Sequence, residues 1–379
     1  MIVWFLSVIG RVTTNFTQSL QRTLVATRMR GIRHTSRYGR SLEDQRTLWT
    51  MGHPLAILPP MMDDLARTEQ ELLRVVAADG DFLTEIAGHL IKAGGKRVRP
   101  GFAMAAAAAL DFSGAPATLD VIRGGCAVEL VHIGSLYHDD VMDDATTRRG
   151  VNSVNAEWGN HRAILAGDYL LGRASELAAA LGTEVAGLLA TTITLLCDGQ
   201  IQELQAQFDT DRSVDACERS IFGKTASLLG TACRIGAIVG GLPRPVVESL
   251  TEFGLAYGMA FQIVDDILDV IATDEEAGKP TGNDLLEGIY TLPVLHALDD
   301  PAVGPGLRSL LTAQITLDER DRARTLIRET NGVTIALDIA QSFADKAAGV
   351  LSDLPDTPGA AALRAASDDL IARANAPLR

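Results

Sequence analysis

Apolar residues recur at every third or fourth position through most of the chain after residue 60, as in MMDDLARTEQELLRVV at 61–76. This spacing places the apolar side chains on one face of an α-helix. Glycines, prolines and short polar stretches divide the successive runs, and no run alternates between apolar and polar residues as a half-buried strand does. The pattern predicts an all-α protein, a single domain of ten or more helices.

An acidic cluster ends the apolar helix that we expect from about Leu119 to Met142. The cluster lies in LYHDDVMDDATTRRG at 136–150, and it contains Asp139, Asp140, Asp143 and Asp144. Positions i, i+1 and i+4 share one side of a helix, so three of these carboxylates point into the same space. Taken alone, such a cluster is also typical of a solvated helix surface.

A second cluster with the same spacing lies in FQIVDDILDV at 261–270, and it contains Asp265, Asp266 and Asp269. Apolar residues flank it on both sides, which a solvated surface would not show. Two carboxylates about 5 Å apart repel by roughly 3 kcal/mol at an effective dielectric constant near 20, so each cluster requires a compensating cation. Oxygen ligands favour a hard ion, and Mg²⁺ in particular bridges carboxylates and phosphates. The two clusters predict facing acidic walls that hold several Mg²⁺ ions and a diphosphate.

Basic residues beside glycines supply the complementary charge. In GGKRVRP at 94–100, Lys96, Arg97 and Arg99 either cradle a phosphate or form a surface turn. Lys224 in GKTA at 223–226 is either a phosphate ligand or a lysine whose aliphatic stem covers apolar surface.

The net charge and the positions of the cysteines limit the possible functions and the cellular location. The formal net charge of −14 argues against nucleic-acid binding. The four cysteines show no CxxC pair and lie in apolar runs, which indicates buried, reduced thiols and a cytoplasmic location.

Residues 1–50 differ from the rest of the chain, with eight arginines, no lysine, two acids and a net charge of +6. We expect an Arg-rich N-terminal extension over 1–50 that is disordered or outside the core, ahead of one domain at 51–379. A transit peptide and a weak anchor at a membrane surface are the alternatives.

Six segments, taken in order, resemble the trans-isoprenyl diphosphate synthases, also called polyprenyl synthetases. They are GGKRVRP at 94–100, LYHDDVMDDATTRRG at 136–150, GDYLL at 167–171, GKTA at 223–226, FQIVDDILD at 261–269 and GKPTGNDLLEG at 278–288. The resemblance extends from about residue 60 to residue 379 and makes 51–379 a polyprenyl synthetase domain. It implies the isoprenoid synthase fold, a helical bundle around a deep central cavity.

The same resemblance implies a prenyltransferase that condenses isopentenyl diphosphate with an allylic diphosphate by ionisation, condensation and elimination. Two to three Mg²⁺ ions would assist. The family also implies a homodimer, with peripheral membrane contact for a lipophilic product.

The resemblance carries residue roles with it. Metal binding falls to Asp139, Asp143, Asp265 and Asp269, and the catalytic group comprises Asp139, Asp140, Asp143, Asp265, Asp266 and Lys224. The isopentenyl diphosphate site comprises Lys96, Arg99, His132 and Arg149, and Arg97 of the same basic turn is also assigned to substrate binding. The allylic diphosphate site comprises Arg148, Lys224, Thr225, Gln262 and Lys279.

The chain departs from the family at one position. The family often has a lysine after the glycine of DLLEG, where this chain has Gly288-Ile289-Tyr290. One cation for the allylic diphosphate is therefore missing, which predicts weaker allylic binding unless Lys279 compensates.

Product length is predicted from the helix that precedes Asp139. One helical turn rises about 5.4 Å, close to one extended isoprene unit, so bulk on this helix would stop the growing tail. Gly134 and Ser135 are small, and Leu130 lies about one turn further back. In the family, small residues here accompany longer products. We expect a medium- or long-chain product, with a farnesyl or geranylgeranyl diphosphate synthase as the alternative.

Two other classes of protein fit the sequence less well. A class I terpene cyclase would carry an Asn/Ser/Glu metal motif in place of the second DDxxD and would lack GGKRVRP. A non-catalytic subunit of a heteromeric synthase would have degraded aspartate clusters, whereas both clusters are intact here.

Overall fold

The computed structural model describes residues 52–273 and 281–375. The predictions for residues 1–50 and for Lys279 lie outside the described residues. Helices of the first half are α1 Met61–Val75, α2 Asp81–Ala87, α3 His89–Lys92, α4 Val98–Ala107, α5 Leu119–Met142, α6 Val154–Trp158, α7 Asn160–Ala180 and α8 Thr183–Gln205.

The remaining helices begin after a loop at 206–213. They are α9 Val214–Ile221, α10 Ser227–Val239, α11 Arg244–Ile271, α12 Asn283–Glu287, α13 Leu292–Leu298, α14 Gly304–Leu310, α15 Leu317–Arg328, α16 Gly332–Val350 and α17 Pro358–Asn375. A single π turn, Phe222–Ala226, joins α9 to α10. The all-α prediction is confirmed, and the number of described helices exceeds ten.

Helix α5 is the central element, with the bounds that the sequence predicted. The hydroxyl of Thr118 caps its start by accepting from the N–H of Val121. Nearly every residue from Val121 to Gly134 is buried, so the helix is covered on all sides. It packs against α1, α4, α7 and α10. The acidic cluster therefore stands at the end of a rigid, buried rod.

A short antiparallel ribbon follows α5, with β1 at Thr147–Arg148 and β2 at Val151–Asn152. Its two loop residues, Arg149 and Gly150, both have positive φ, the geometry of a tight hairpin turn. No alternation of apolar and polar residues marks these strands, because two residues per strand are too few to show a period. The ribbon matters because it sends the adjacent arginines in different directions.

Helix α11 carries the second acidic cluster and packs against α10 and α16. Glycines allow its closest contacts. A Cβ at Gly258 would lie 2.5 Å from the Cα of Ala226, and a Cβ at Gly254 would lie 2.7 Å from the carbonyl oxygen of Leu229. Close contact between α11 and the π turn holds the second cluster beside Lys224.

All described residues belong to one compact unit, so the predicted boundary at residues 50 and 51 stays a prediction. Within 52–273 and 281–375, no helix combines the length and the apolar composition needed to cross a bilayer.

Candidate active site

Residues of both acidic clusters line one cavity of about 150 Å³. Asp143 comes from the end of α5 and Asp266 from α11. The other charged and polar lining residues are Glu203, Arg212, Cys217, Ser220, Lys224, Thr225, Gln262, Asp284, Glu287 and Thr291. The two predicted walls therefore face each other across the same space.

The first wall is made of carboxylates that burial makes less acidic. Burial raises the pKa of Asp139 to about 6; the charge of Lys224 opposes this and that of Asp143 adds to it. Asp140 is fully buried, and its Oδ1 accepts from Arg148 Nε at 2.7 Å and Nη2 at 2.6 Å. Its Oδ2 has no partner.

The second wall is ordered by a chain of side-chain hydrogen bonds. The hydroxyl of Thr225 donates to Gln262 Oε1 at 2.8 Å, and Gln262 Nε2 donates to Asp266 Oδ1 at 2.8 Å. Burial raises the pKa of Asp266 to about 8, although the bond from Gln262 opposes this. Asp266 Oδ2 is buried without a partner. Asp265 lies exposed, and Asp269 is buried one turn further along.

These groups fit a hard divalent cation. Each wall presents one buried carboxylate oxygen that accepts no hydrogen bond, Asp140 Oδ2 in the first wall and Asp266 Oδ2 in the second. Oxygen atoms of this kind are the ligands that such a cation prefers. In the described part of the chain, no three His, Cys, Asp or Glu side chains converge on one metal position. An ion bound here would complete its shell with water and phosphate oxygens, as Mg²⁺ does in phosphate sites.

Lys224 lies between the walls. Burial lowers its pKa, but Glu203, which accepts a hydrogen bond from its Nζ, and the carboxylates Asp139 and Asp143 outweigh burial and raise it. Two glycines allow α8 and the π turn to approach closely, because a Cβ at Gly199 would lie 2.8 Å from Lys224 N and a Cβ at Gly223 would lie 2.7 Å from the carbonyl oxygen of Leu195. The sequence reasoning missed Glu203. Its only local signal is a polar last turn on the largely apolar α8.

Asp284 and Glu287, on α12, also border the cavity and were not among the predicted site residues. Burial raises the pKa of Asp284 well above its usual value, and Asp269, Asp266 and Asp265 raise it further. The backbone N–H of Asp284 points to Asp269 Oδ2 at 3.4 Å. The described residues therefore add acids from a third helix to the two predicted walls.

A basic group lies beside the first wall. Burial lowers the pKa of His132 far below its usual value, and the charges of Arg99 and Arg149 lower it further, so this imidazole is neutral. Arg149 donates from Nη1 to the carbonyl oxygens of Leu90 and Gly94, at 3.0 and 2.6 Å. Arg99 Nε is buried without a partner. Arg99, His132 and Arg149 are thus brought together.

Lys96 is exposed and approaches the last helix. Burial of its amine lowers its pKa, the charge of Arg373 lowers it further, and that of Asp369 raises it. Both of these residues belong to α17, so the basic turn is bordered by the C-terminal helix.

Arg97 does not join this basic group, and its assignment to substrate binding is corrected. Its side chain is fully buried, and its Nε donates to Glu69 Oε1 at 2.5 Å and its Nη1 to Glu129 Oε1 at 2.9 Å. Its Nη2 donates to the carbonyl oxygen of Ile91 at 2.9 Å. All three nitrogens are taken up by protein groups, so Arg97 holds the basic turn in place.

The structure also changes the interpretation of the predicted chain-length residues. A Cβ at Gly134 would lie 3.1 Å from the carbonyl oxygen of Gly167, so this glycine faces α7 and is small for packing. Leu130 is fully buried. Ser135 is only partly buried and lies one turn before Asp139 on the same side of α5. Of the three, Ser135 is the residue that stays a chain-length prediction.

Ile289, at the departure from the family pattern, lines the cavity. Its N–H donates to the carbonyl oxygen of Asp284 at 2.8 Å. An apolar side chain therefore borders the acids of α12.

An all-α bundle with two acidic walls on one cavity, and a basic group beside it, defines a metal-dependent enzyme of diphosphates. The sequence model for polyprenyl synthetase matches residues 81–327. The nonaprenyl diphosphate synthase of Mycobacterium tuberculosis (strain ATCC 25618 / H37Rv) is 40% identical over 313 residues, covering 82% of this chain and 92% of that protein. Component 2 of the heptaprenyl diphosphate synthase of Geobacillus stearothermophilus is 39% identical, covering 78% and 91%.

A solved structure shares the fold. The geranylgeranyl pyrophosphate synthase from Corynebacterium glutamicum, complexed with calcium and isoprenyl diphosphate, superposes with a TM-score of 0.72 at 38% identity, covering 83% of this chain and 96% of that one. The chain belongs to the polyprenyl synthetase family. It is a prenyltransferase that makes prenyl diphosphates, as the resemblance implied.

Proposed function

We propose that the protein joins isopentenyl diphosphate to an allylic diphosphate and builds a medium- or long-chain all-trans polyprenyl diphosphate. The observation that carries this proposal is the shared cavity of Asp143 and Asp266, with Lys224 between the walls. The two curated relatives named above support the longer product, since their names specify nine and seven prenyl units.

The allylic diphosphate would lie between the acidic walls. The chemistry that bound Mg²⁺ supplies is charge stabilisation of the leaving diphosphate, through Asp139, Asp143, Asp265 and Asp269. The C–O bond of the allylic substrate breaks, and both electrons leave with the diphosphate. Lys224 and Thr225 would hold that group, and Arg148 would turn to it from Asp140.

Isopentenyl diphosphate would bind to the basic group beside the first wall. Arg99 and Arg149 supply fixed positive charge, and His132, being neutral, can donate a hydrogen bond without adding repulsion. The double bond of this substrate attacks the allylic carbon and forms the new C–C bond. A proton then leaves to the released diphosphate, so the chain needs no nucleophilic side chain.

Buried apolar side chains of α5 behind the acidic end exclude water from the cationic carbon; they include Val131 and Ile133. The experiment that tests the function is release of diphosphate from isopentenyl diphosphate plus an allylic primer, with and without Mg²⁺. Mass analysis of the product gives its length. A product of four units or fewer would favour the short-chain alternative.

We also propose a homodimer. Helices α7 and α8 leave large apolar side chains exposed, among them Leu165 at 67% and Ile201 at 53%. The relative named as component 2 supports a second candidate, one subunit of a heteromeric synthase. Sedimentation of the purified chain, combined with the diphosphate assay, separates the two. Product formation by the chain alone excludes an obligatory second subunit.

A further inference from the structure

Arg212 is a buried arginine beside the cavity that the predicted roles left without a function. It lies in the loop between α8 and α9, and it is only 8% exposed. Its Nη2 donates to Ser220 Oγ at 2.8 Å and its Nη1 to the carbonyl oxygen of Tyr290 at 3.3 Å. Its Nε is buried without a partner, although the side chain lines the cavity.

Within 52–273 and 281–375, Arg212 forms no ion pair. A guanidinium stays charged at any physiological pH, and a buried charge without a counter-charge is costly. Arg97 shows the usual solution, since two carboxylates accept from it. Arg324 shows another, since it donates to carbonyl oxygens at the end of α11. Arg212 has neither a carboxylate nor a helix end, so its position points to an anion from outside the chain.

The cavity around Arg212 is short of positive charge for such an anion. Its acidic lining residues are Asp143, Glu203, Asp266, Asp284 and Glu287. Lys224 is the other lysine or arginine among the described lining residues, and its amine already donates to Glu203. A diphosphate bound between the acidic walls carries oxygens that need cations of their own. Of the two described lining cations, Arg212 is the one that forms no ion pair with an acid.

Arg212 and Asp266 of the second wall both lie near Cys217. Burial raises the pKa of the Cys217 thiol to about 12, Arg212 lowers it and Asp266 raises it. One thiol is thus within electrostatic reach of both groups, and all three line the cavity.

The loop that carries Arg212 is tied to the segment 287–290 by hydrogen bonds to the carbonyl oxygens of that segment. Gln207 Nε2 donates to the carbonyl oxygen of Glu287 at 2.6 Å, and the N–H of Phe208 donates to the carbonyl oxygen of Gly288 at 2.8 Å. The bond from Arg212 to Tyr290 continues the series. A guanidinium held on both sides is preorganised for binding.

We propose that Arg212 is a substrate-binding residue that supplies a cation to the allylic diphosphate between the two acidic walls. Ile289 borders the same cavity and offers no charge there, so Arg212, which donates to the neighbouring Tyr290, provides that charge. This inference rests on the proposed function, because it assigns a further ligand to that same site.

The test compares Arg212→Gln with the wild type in two measurements. One is the KM for the allylic diphosphate against the KM for isopentenyl diphosphate, and the other is binding of inorganic diphosphate with Mg²⁺ by calorimetry. Loss of one charge-assisted contact predicts an allylic KM and a diphosphate Kd raised about 10- to 100-fold. The KM for isopentenyl diphosphate should change less than about threefold, a small free-energy change.

Moving the positive charge to a neighbouring residue distinguishes a loss of diphosphate binding from a loss of structure. Ile289→Lys in the Arg212→Gln background should restore about tenfold of the diphosphate affinity, because its amine reaches the same anion. Arg308→Gln is the matched control, since Arg308 ties the same loop from outside through Thr210 and Asp211. Its allylic KM should equal that of the wild type.

Three results would overturn the inference: an unchanged diphosphate Kd in Arg212→Gln, a loss that Ile289→Lys does not restore, or an equal loss in Arg308→Gln. If Arg212→Gln does not fold, Ile289→Lys alone decides. It should tighten diphosphate binding severalfold, and no change would refute an anion beside these residues. A wild-type chain that binds diphosphate but forms no product would refute the proposed function and not the role of Arg212.

Discussion

Asp143 at the end of α5 and Asp266 on α11 line the same cavity, although their helices lie far apart in the sequence. Each belongs to a cluster with i, i+1, i+4 spacing, and each wall contains a buried carboxylate oxygen without a donor. An arrangement of this kind is stable only with a counter-charge. We therefore expect metal and substrate to supply the counter-charge that the fold lacks.

Removing one carboxylate from either wall should nearly abolish turnover. We expect Asp139→Ala or Asp265→Ala to lower the rate about a thousandfold, which corresponds to roughly 4 kcal/mol of transition-state stabilisation. Diphosphate release at saturating Mg²⁺ measures it. Asp338→Asn, an exposed aspartate on α16, is the control and should retain full activity. Near-normal turnover in both wall variants would refute the metal assignment.

Bulk at residue 135 should shorten the product. Ser135 lies on the side of α5 that carries Asp139, so Ser135→Phe should stop the tail within the first turn or two, as judged by mass analysis. Ser135→Ala should leave the product length unchanged.

Gly134→Phe should behave differently from Ser135→Phe because its side chain would meet α7. Its expected effect is a loss of stability by overpacking, about 1–3 kcal/mol or more. If Gly134→Phe folds normally and shortens the product, the packing interpretation of this glycine is wrong.

The buried pairs around Arg97 should dominate the stability of the basic turn. Removing one partner leaves a buried charge uncompensated, so Arg97→Met should lower the free energy of unfolding by about 3–5 kcal/mol. Urea denaturation measures it. Arg244→Met breaks an exposed pair with Glu184 and should cost less than about 1 kcal/mol. Equal effects of the two variants would contradict the structural role of Arg97.

The imidazole of His53 should make the protein less stable in acid. Burial lowers the pKa of His53 to about 4, and backbone contact with Arg97 opposes this. Between pH 6.5 and 4 the unfolded chain binds a proton that the folded chain does not, so stability present above 6.5 is lost as the pH falls. The full effect is about 3 kcal/mol.

His53→Asn should remove much of this acid-dependent loss. The asparagine can still accept the bond that the N–H of Leu55 makes to His53 Nδ1 at 3.1 Å. Thermal unfolding measured from pH 7 to pH 4 gives the comparison. A pH profile identical to that of the wild type would show that other groups cause the acid sensitivity.

Hydrophobic spacing was sufficient to predict most of the helices, because a helix with one face on the core needs an apolar stripe whatever its neighbours are. Helix α5 begins and ends as predicted. The motif order was sufficient to predict the two acidic walls, since aspartates at i, i+1 and i+4 share one side of a helix. By contrast, Glu203 and Asp284 carry no local pattern, and they reach the cavity only through packing of α8 and α12.

The sequence by itself determined the all-α class and the helix that carries each cluster. Only the tertiary structure decided the direction and the partner of each side chain within a motif. Arg97 and Arg99 stand two residues apart, yet Arg97 forms buried ion pairs with Glu69 and Glu129. Gly134 is small because α7 passes beside it. The physical reason is that side-chain periodicity depends on the local backbone alone, whereas the partner of a buried charge is set by whichever distant helix packs against it.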